Sequence, residues 1–246
     1  MKTWLIINDL QIPFHDALAL RVVLDFARQI KPYGIILNGD IIDAYQFSEF
    51  DKNPLEKATV LVEQRLARWL MGSLAPHATE RWWLGGNHED RLRRYMWKHA
   101  PKFAGLAELT FPALFHLGDH GFKWKEYGGH VMLGKLMVTH GSIVSKHSGV
   151  SGKNHMEKYG TSILHGHTHR LGVYYKRDVR GVHAAWENGC LCRLDPEYDQ
   201  FPNWQHGISV VHVGERGFFS VQQLPIIDRR MLFYGRERVA VGRGRG

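Results

Sequence analysis

The stretch Leu164-His165-Gly166-His167-Thr168-His169 follows a short apolar run and carries three alternate imidazoles, of which His167 and His169 stand two residues apart after Gly166. Four earlier segments carry more donors of the kind that bind divalent cations: Asp9-Leu10-Gln11, Gly39-Asp40-Ile41-Ile42-Asp43, Gly86-Asn87-His88-Glu89 and Thr139-His140-Gly141. Carboxylate, amide and imidazole donors without thiolate suit manganese, iron, zinc or nickel, and geometry rather than raw affinity selects among these ions. Taken singly, each residue has an ordinary structural role as a helix cap, a turn residue or a histidine packed at a strand end. Their shared placement is what points to chemistry.

That placement follows from the elements around them. Residues 4–7 read as a buried strand, and 17–26 have helical apolar spacing behind a possible Asp16 cap; 34–37 form a second strand, so the two should pair in parallel. A helix is expected over 54–74, with Leu55, Leu61, Val62, Leu66, Trp69 and Leu70 as its apolar stripe and Glu63 on a wet face. A third strand spans 81–84, a basic aromatic helix runs from 89 to about 99 and stops at Pro101, and 102–121 reads as a helical insertion. From residue 122 the pattern changes to short strands, at 122–127, 131–133, 136–139, 162–164, 172–176, 182–186, 208–213, 218–224 and 230–233, interrupted by a helix over 150–159. The expected fold is α/β, a four-layer α-β-β-α sandwich of two mixed β-sheets flanked by helices. A single domain over 1–241, with helical insertions at about 44–77 and 91–121, would precede a flexible basic tail at 242–246. In this scheme Asp9, Asp40, Asn87, His140 and His167 each fall one to four residues past a strand end, where α/β sheets open their crevices.

Length and composition fit this scheme. A chain of 246 residues with 44% hydrophobic and 12% aromatic residues can bury a sizeable core, and no repeat or low-complexity tract interrupts it. The apolar run at the N-terminus is too short for a signal-peptide core, and no stretch nears the ~20 apolar residues of a membrane span, so a soluble, cytoplasmic protein is expected. Cys190 and Cys192 are too few for a structural zinc cage and read as reduced core thiols. A net charge of +8 favours an anionic partner, such as a nucleic acid or a phosphorylated substrate.

In order, the five segments resemble the motif set of the calcineurin-like metallophosphoesterase superfamily: D-x-H, G-D-x-x-D, G-N-H-[DE], a lone H, and G-H-x-H. The resemblance runs from Asp9 to His169, and Gly86-Asn87-His88-Glu89 with Gly166-His167-Thr168-His169 is its most specific part. It implies two divalent metal ions, manganese first among the candidates, bridged by Asp40. One would take Asp9 and His169, the other Asn87, His140 and His167. It further implies that His88 stands over the substrate as a catalytic acid rather than as a ligand, with Asp43 holding its ring, and that hydroxide attacks phosphorus in line.

The first motif departs from the pattern, because Gln11 stands where a histidine is expected. Its amide could ligate through oxygen or orient a water ligand; alternatively, that site could fill only at high metal concentration. Ala44-Tyr45 after Asp43 disfavours the protein-phosphatase branch, and Asn188-Gly189-Cys190 reads as support beneath the metal loop, as does His165 beside it. Glu89 is explained by its place in the first turn of a helix. Arg91, Arg94 and Lys146 are candidate contacts for substrate oxygens within two basic stretches, and a solvated helix face explains them equally well. The expected substrates are phosphoesters of nucleotides, DNA or RNA. The alternative is a weakly active or inactive relative that binds nucleic acid or protein.

Overall fold

Alternation along the first two strands sets the layering. In the computed structural model, which describes residues 1–49, 51–196 and 201–239 (238 and 239 as backbone only), β1 (Lys2–Ile7) and β2 (Gly34–Asn38) pair in parallel, with Leu5 opposite Ile35 and Ile7 opposite Leu37. Leu5, Ile7, Ile35 and Leu37 turn towards α1 (Ala17–Ile30) and α2 (Val60–Leu74), burying Val23, Phe26, Leu70 and Met71. Trp4, Ile6 and Ile36 turn the other way. They pack with Leu136, Val138 and Leu164 from β6 (Leu136–Thr139) and β7 (Ser162–His165) of a second sheet. Met137 and Ile163, which alternate with those residues, face Met156 of α5 (Val150–Tyr159). Three apolar interfaces therefore separate four layers, and strands covered on both faces explain the unbroken hydrophobic runs.

The first sheet adds β3 (Glu80–Leu84) and β4 (Lys123–Lys125) in parallel on one side of the β1–β2 pair. On the other side it adds β10 (Gly207–Val213) and β11 (Phe219–Pro225) antiparallel. The second has the order β5 (His130–Leu133), β6, β7, β9 (Gly181–Asn188), β8 (Leu171–Asp178). Both sheets are thus mixed, as expected. A hairpin of β12 (Arg230–Phe233) and β13 (Arg236–Val239) buries Phe233 against Phe26, with ring centroids 4.9 Å apart. No helix among the described residues is long and apolar enough to cross a membrane. The basic tail expected at 242–246 lies outside the described residues.

Helix α1 begins where expected: Asp16 accepts the N–H groups of Leu18 and Ala19 at 2.8 and 2.9 Å. The next helix departs from expectation. The helix expected from residue 54 starts at Val60, where Thr59 caps it, and Leu55, Leu61 and Trp69 are exposed. Its buried face is Glu63, Ala67, Leu70, Met71 and Leu74, an equally periodic set whose first member is charged and therefore hides the stripe. Segment 102–121, expected as a helical insertion, consists of short helical turns around α4 (Phe111–Leu114). Pro101 and Pro112 each occupy a first-turn position, and Phe111 and Phe115 stack at 4.4 Å while Phe103 and Leu106 stay exposed.

Glu63 itself, expected on a wet face, is 1% exposed. Its carboxyl group accepts the backbone N–H groups of Ala44 and Tyr45 at 3.0 and 3.2 Å, and Ala44 holds a left-handed φ of 54°. Glu63 thereby pins the loop after Asp43. Burial pushes its carboxyl up to about 8, Asp43 adding to the rise and the two amides opposing it. A carboxyl that keeps its proton in the fold but loses it near 4.5 in the unfolded chain favours folding at low pH, and the advantage fades from pH 4.5 to about 8. Glu63→Gln cannot ionise, so the melting temperature of the native chain should fall relative to the variant across that window. Parallel melting curves would contradict this.

Candidate metal centre

The five donor-bearing loops converge from two sheets. Asp9, Asp40 and Asn87 follow β1, β2 and β3 of the first; His140 and His167 follow β6 and β7 of the second. Glycines allow the approach. A Cβ on Gly86 would collide with the Asp40 carboxylate, and one on Gly166 would lie 2.5 Å from Asp9 Oδ2. His167 and His169 both occupy the left-handed region, at φ 72° and 59°. That kink turns both rings to the same site, although residues two apart in a loop need not share a direction. Thr168 anchors it, its hydroxyl donating to Glu187 at 3.0 Å.

Asp40, His140 and His167 bring one donor atom each to within 4.8 Å of one another. His140 Nε2 lies 3.2 Å from Asp40 Oδ2 and 3.3 Å from Asn87 Oδ1, while its Nδ1–H donates to the carbonyl of Asn38 at 2.9 Å. The bond on Nδ1 leaves the Nε2 lone pair for the site. Nearby, His169 Nε2 lies 3.2 Å from Asp9 Oδ1 and 3.4 Å from the Gln11 amide nitrogen. A half-turn of that amide puts its oxygen in the same place. Asp9 is completely buried. Its Oδ2 accepts from the His167 N–H at 2.9 Å and from Asn8, yet its Oδ1 has no hydrogen-bond partner among the described residues.

A buried carboxylate oxygen that makes no hydrogen bond and faces only the ring nitrogen of His169 carries a desolvation cost, which a cation would remove. The electrostatics agree. Burial pushes the Asp40 carboxyl up, but the imidazoles of His140 and His88 outweigh it and hold it well below the usual range. Burial pushes His140 down, but Asp40 overcomes it and raises the ring to about 9; Cys192 and Asp9 likewise raise His169 against its burial. Metal binding at either ring would displace its proton. His167, by contrast, is pushed by burial and by His140 down to about 4, so it offers a lone pair at neutral pH. The donor set therefore fits divalent metal.

His88 sits at the N-terminus of α3 (Asn87–His99), above this cluster. Its Nδ1 lies 2.9 Å from the Asp43 carbonyl oxygen and 3.4 Å from the Asp43 carboxylate, and its Nε2 lies 3.7 Å from Asp40. Burial works against its protonation, but Asp40 and then Asp43 overcome it and raise the ring above its ordinary value, with Arg91 opposing. Arg91 reaches this group, donating to the Asp43 carbonyl at 2.8 Å and lying 3.2 Å from His88 Nε2. The other two basic candidates lie further out. Arg94 is exposed and pairs with Asp90, and Lys146 is exposed on the loop after His140.

Asn188 supports the metal loop as expected, whereas the contacts of Glu89 and Cys192 are not visible in the sequence. Glu89 accepts from Gly86, Asp40 and Ile41 N–H groups at 2.7–2.9 Å, so one carboxylate ties the Asn87 loop to the Asp40 loop as well as closing its own helix. Asn188 donates to Asn8 and to the carbonyl of Ile6, beneath the Asp9 loop. Cys190 and Cys192 are buried and unbridged as expected, but Cys192 Sγ also lies 3.7 Å from His169 Nδ1. Such a neighbour leaves His169 Nε2 to face Asp9. Only the apposition of distant segments reveals these contacts.

Comparison with known proteins places this geometry. The profile of calcineurin-like phosphoesterases matches residues 3–171. The chain is 29% identical to the Gene 54 protein of Mycobacterium phage D29, over 93% of this chain and 95% of that protein. It is 27% identical to the Gene 54 protein of Mycobacterium phage L5, over 96% and 98%. The structure of vacuolar protein sorting 29 from Cryptosporidium parvum superposes with a TM-score of 0.50 at 14% identity, over 97% of this chain and 95% of that one, and so shares the fold. With a match over more than half its length, spanning every donor loop from Asp9 to His169, the chain belongs to the calcineurin-like phosphoesterase family.

Proposed function

We propose that the protein hydrolyses phosphoesters of nucleotides or nucleic acids at a centre of two divalent cations, manganese being the first candidate. The observation that carries this reading is the buried Asp9 Oδ1, which makes no hydrogen bond among the described residues and faces His169 Nε2 at 3.2 Å, set beside a second cluster of Asp40, His140 and His167. In this reading Asp9, Gln11 and His169 would hold one cation and Asn87, His140 and His167 the other, with Asp40 available to both. Cations so held supply positive charge to the phosphoryl oxygens and lower the pKa of water to that of a usable nucleophile.

The protein's own groups do the rest. His88, kept protonated by Asp40 and Asp43, donates from its ring to the departing oxygen. Arg91 braces Asp43 and presents its guanidinium beside that ring, where it can hold a non-bridging oxygen; Arg94 and Lys146 would meet the flanking parts of a longer substrate. Glu89 and Glu63 fix the loops that carry Asp40 and Asp43. Gln11 favours a second reading, in which a weakened first site leaves a binding module with little activity.

Hydrolysis of bis(p-nitrophenyl) phosphate distinguishes the two. Chelator-treated protein should lose turnover and regain it with Mn²⁺, whereas silence with Mn²⁺, Fe²⁺, Zn²⁺ and Ni²⁺ on both this diester and p-nitrophenyl phosphate would favour the binding module. His88→Ala should lower kcat by about 10²–10⁴-fold with bound metal unchanged; an equal loss of metal would make His88 a ligand. Gln11→His should lower the Mn²⁺ concentration needed for half-maximal activity, because imidazole is the stronger donor. An unchanged metal dependence would place residue 11 outside the coordination shell.

A further inference from the structure

A cavity of about 160 Å³ opens beside the centre, with Gln11 from the Asp9 loop and Asp43 from the His88 group on its wall. Its other walls are unlike the rest of this basic protein. Phe14, Tyr45 and Trp204 supply aromatic surface, and among the described lining residues Glu56 and Asp195 supply carboxylates against the guanidinium of Arg193. The rings are held in place: Phe14 and Tyr45 meet edge to face at 5.7 Å, the Tyr45 hydroxyl accepts the Asn53 N–H at 2.7 Å, and Trp204 meets His169 edge to face at 4.3 Å. Glu56 is also anchored, accepting the Ala58 N–H at 2.8 Å.

We propose that this cavity is a nucleobase subsite that selects guanine on one ester arm of the substrate. The inference rests on the phosphoesterase reading for its purpose but not for its binding test. Aromatic walls favour a planar heterocycle, since every base has a π-face. An excess of carboxylates repels a second phosphate and accepts from N–H groups, so the wall recognises the base rather than the backbone. Guanine presents adjacent N1–H and N2–H donors that one carboxylate can accept together; uracil and thymine present a single N–H between two carbonyls, which carboxylates repel. The volume admits one ring system and is too small for a base pair, below the range of pockets that enclose whole drug-sized ligands.

Nucleosides test the subsite without turnover. Binding of guanosine, uridine, ribose and choline to the full chain can be measured by ligand-observed NMR. Guanosine should bind about tenfold more tightly than uridine, and ribose should not bind measurably. Asp195→Asn and Glu56→Gln, each checked for native circular dichroism, should bring guanosine close to uridine. Equal binding of guanosine and uridine, an unchanged preference in both variants, or tighter binding of choline would overturn the assignment, the last by making the cavity an ammonium site. Turnover of guanosine 5′-(p-nitrophenyl phosphate) separates the two ideas. Guanosine binding without hydrolysis keeps the subsite and removes the activity. Hydrolysis no faster than that of the uridine ester keeps the activity and removes the subsite.

Discussion

Two carboxylates, Asp9 and Asp40, are buried almost completely at the seam between two β-sheets, and the surrounding structure depends on making that burial tolerable. Unpaired, each would carry a desolvation cost that no neighbouring packing could offset. The fold surrounds them with donors. Asp40 receives the His88 N–H and faces the rings of His140 and His88, and Asp9 receives the His167 N–H and faces His169. The glycines at 86 and 166 are what let those loops close on the carboxylates. Charge excess at the seam is thus built in, and divalent cations would complete its compensation.

The layered core makes this seam possible. Because β1, β2, β6 and β7 are covered on both faces, their ends are fixed by packing, and each loop leaves its strand in a set direction. Buried carboxylates then fix the loops to one another. Glu89 joins the second and third loops, Glu63 holds the backbone just past Asp43, and Glu187 holds the turn between His167 and His169. Buried acids are therefore used here as acceptors for backbone and hydroxyl donors as well as for metal.

How legible this was in the sequence depended on the range of the signal. Asp16 and the apolar spacing that follows mark α1, because a cap and its helix are local; the parallel pairing of β1 and β2 follows from one β-α-β unit. The donor loops could be recognised because the residue types recur in a fixed order. Glu63 was misjudged because a charged residue on a buried helix face reverses the amphipathic pattern, and its partners at 44 and 45 lie on a separate loop. In segment 102–121 the helical tendency is local and legible, while its division into short turns follows from Pro101 and Pro112. Cys192 could not have been linked to His169 by spacing, since only the return of the chain beside the Asp9 loop brings them together.

Gln11 concentrates the remaining chemical question, because it stands beside Asp9 and His169 where a stronger donor is expected. The central claim is that the seam holds two cations, one on each side of Asp40. Counting tightly bound Mn²⁺ per chain by elemental analysis after equilibrium dialysis tests it most directly. The account predicts two ions for the native chain, one for Asp9→Asn and none for Asp40→Asn. A native chain that binds a single ion at saturating Mn²⁺, or an Asp40→Asn variant that keeps both, would contradict it.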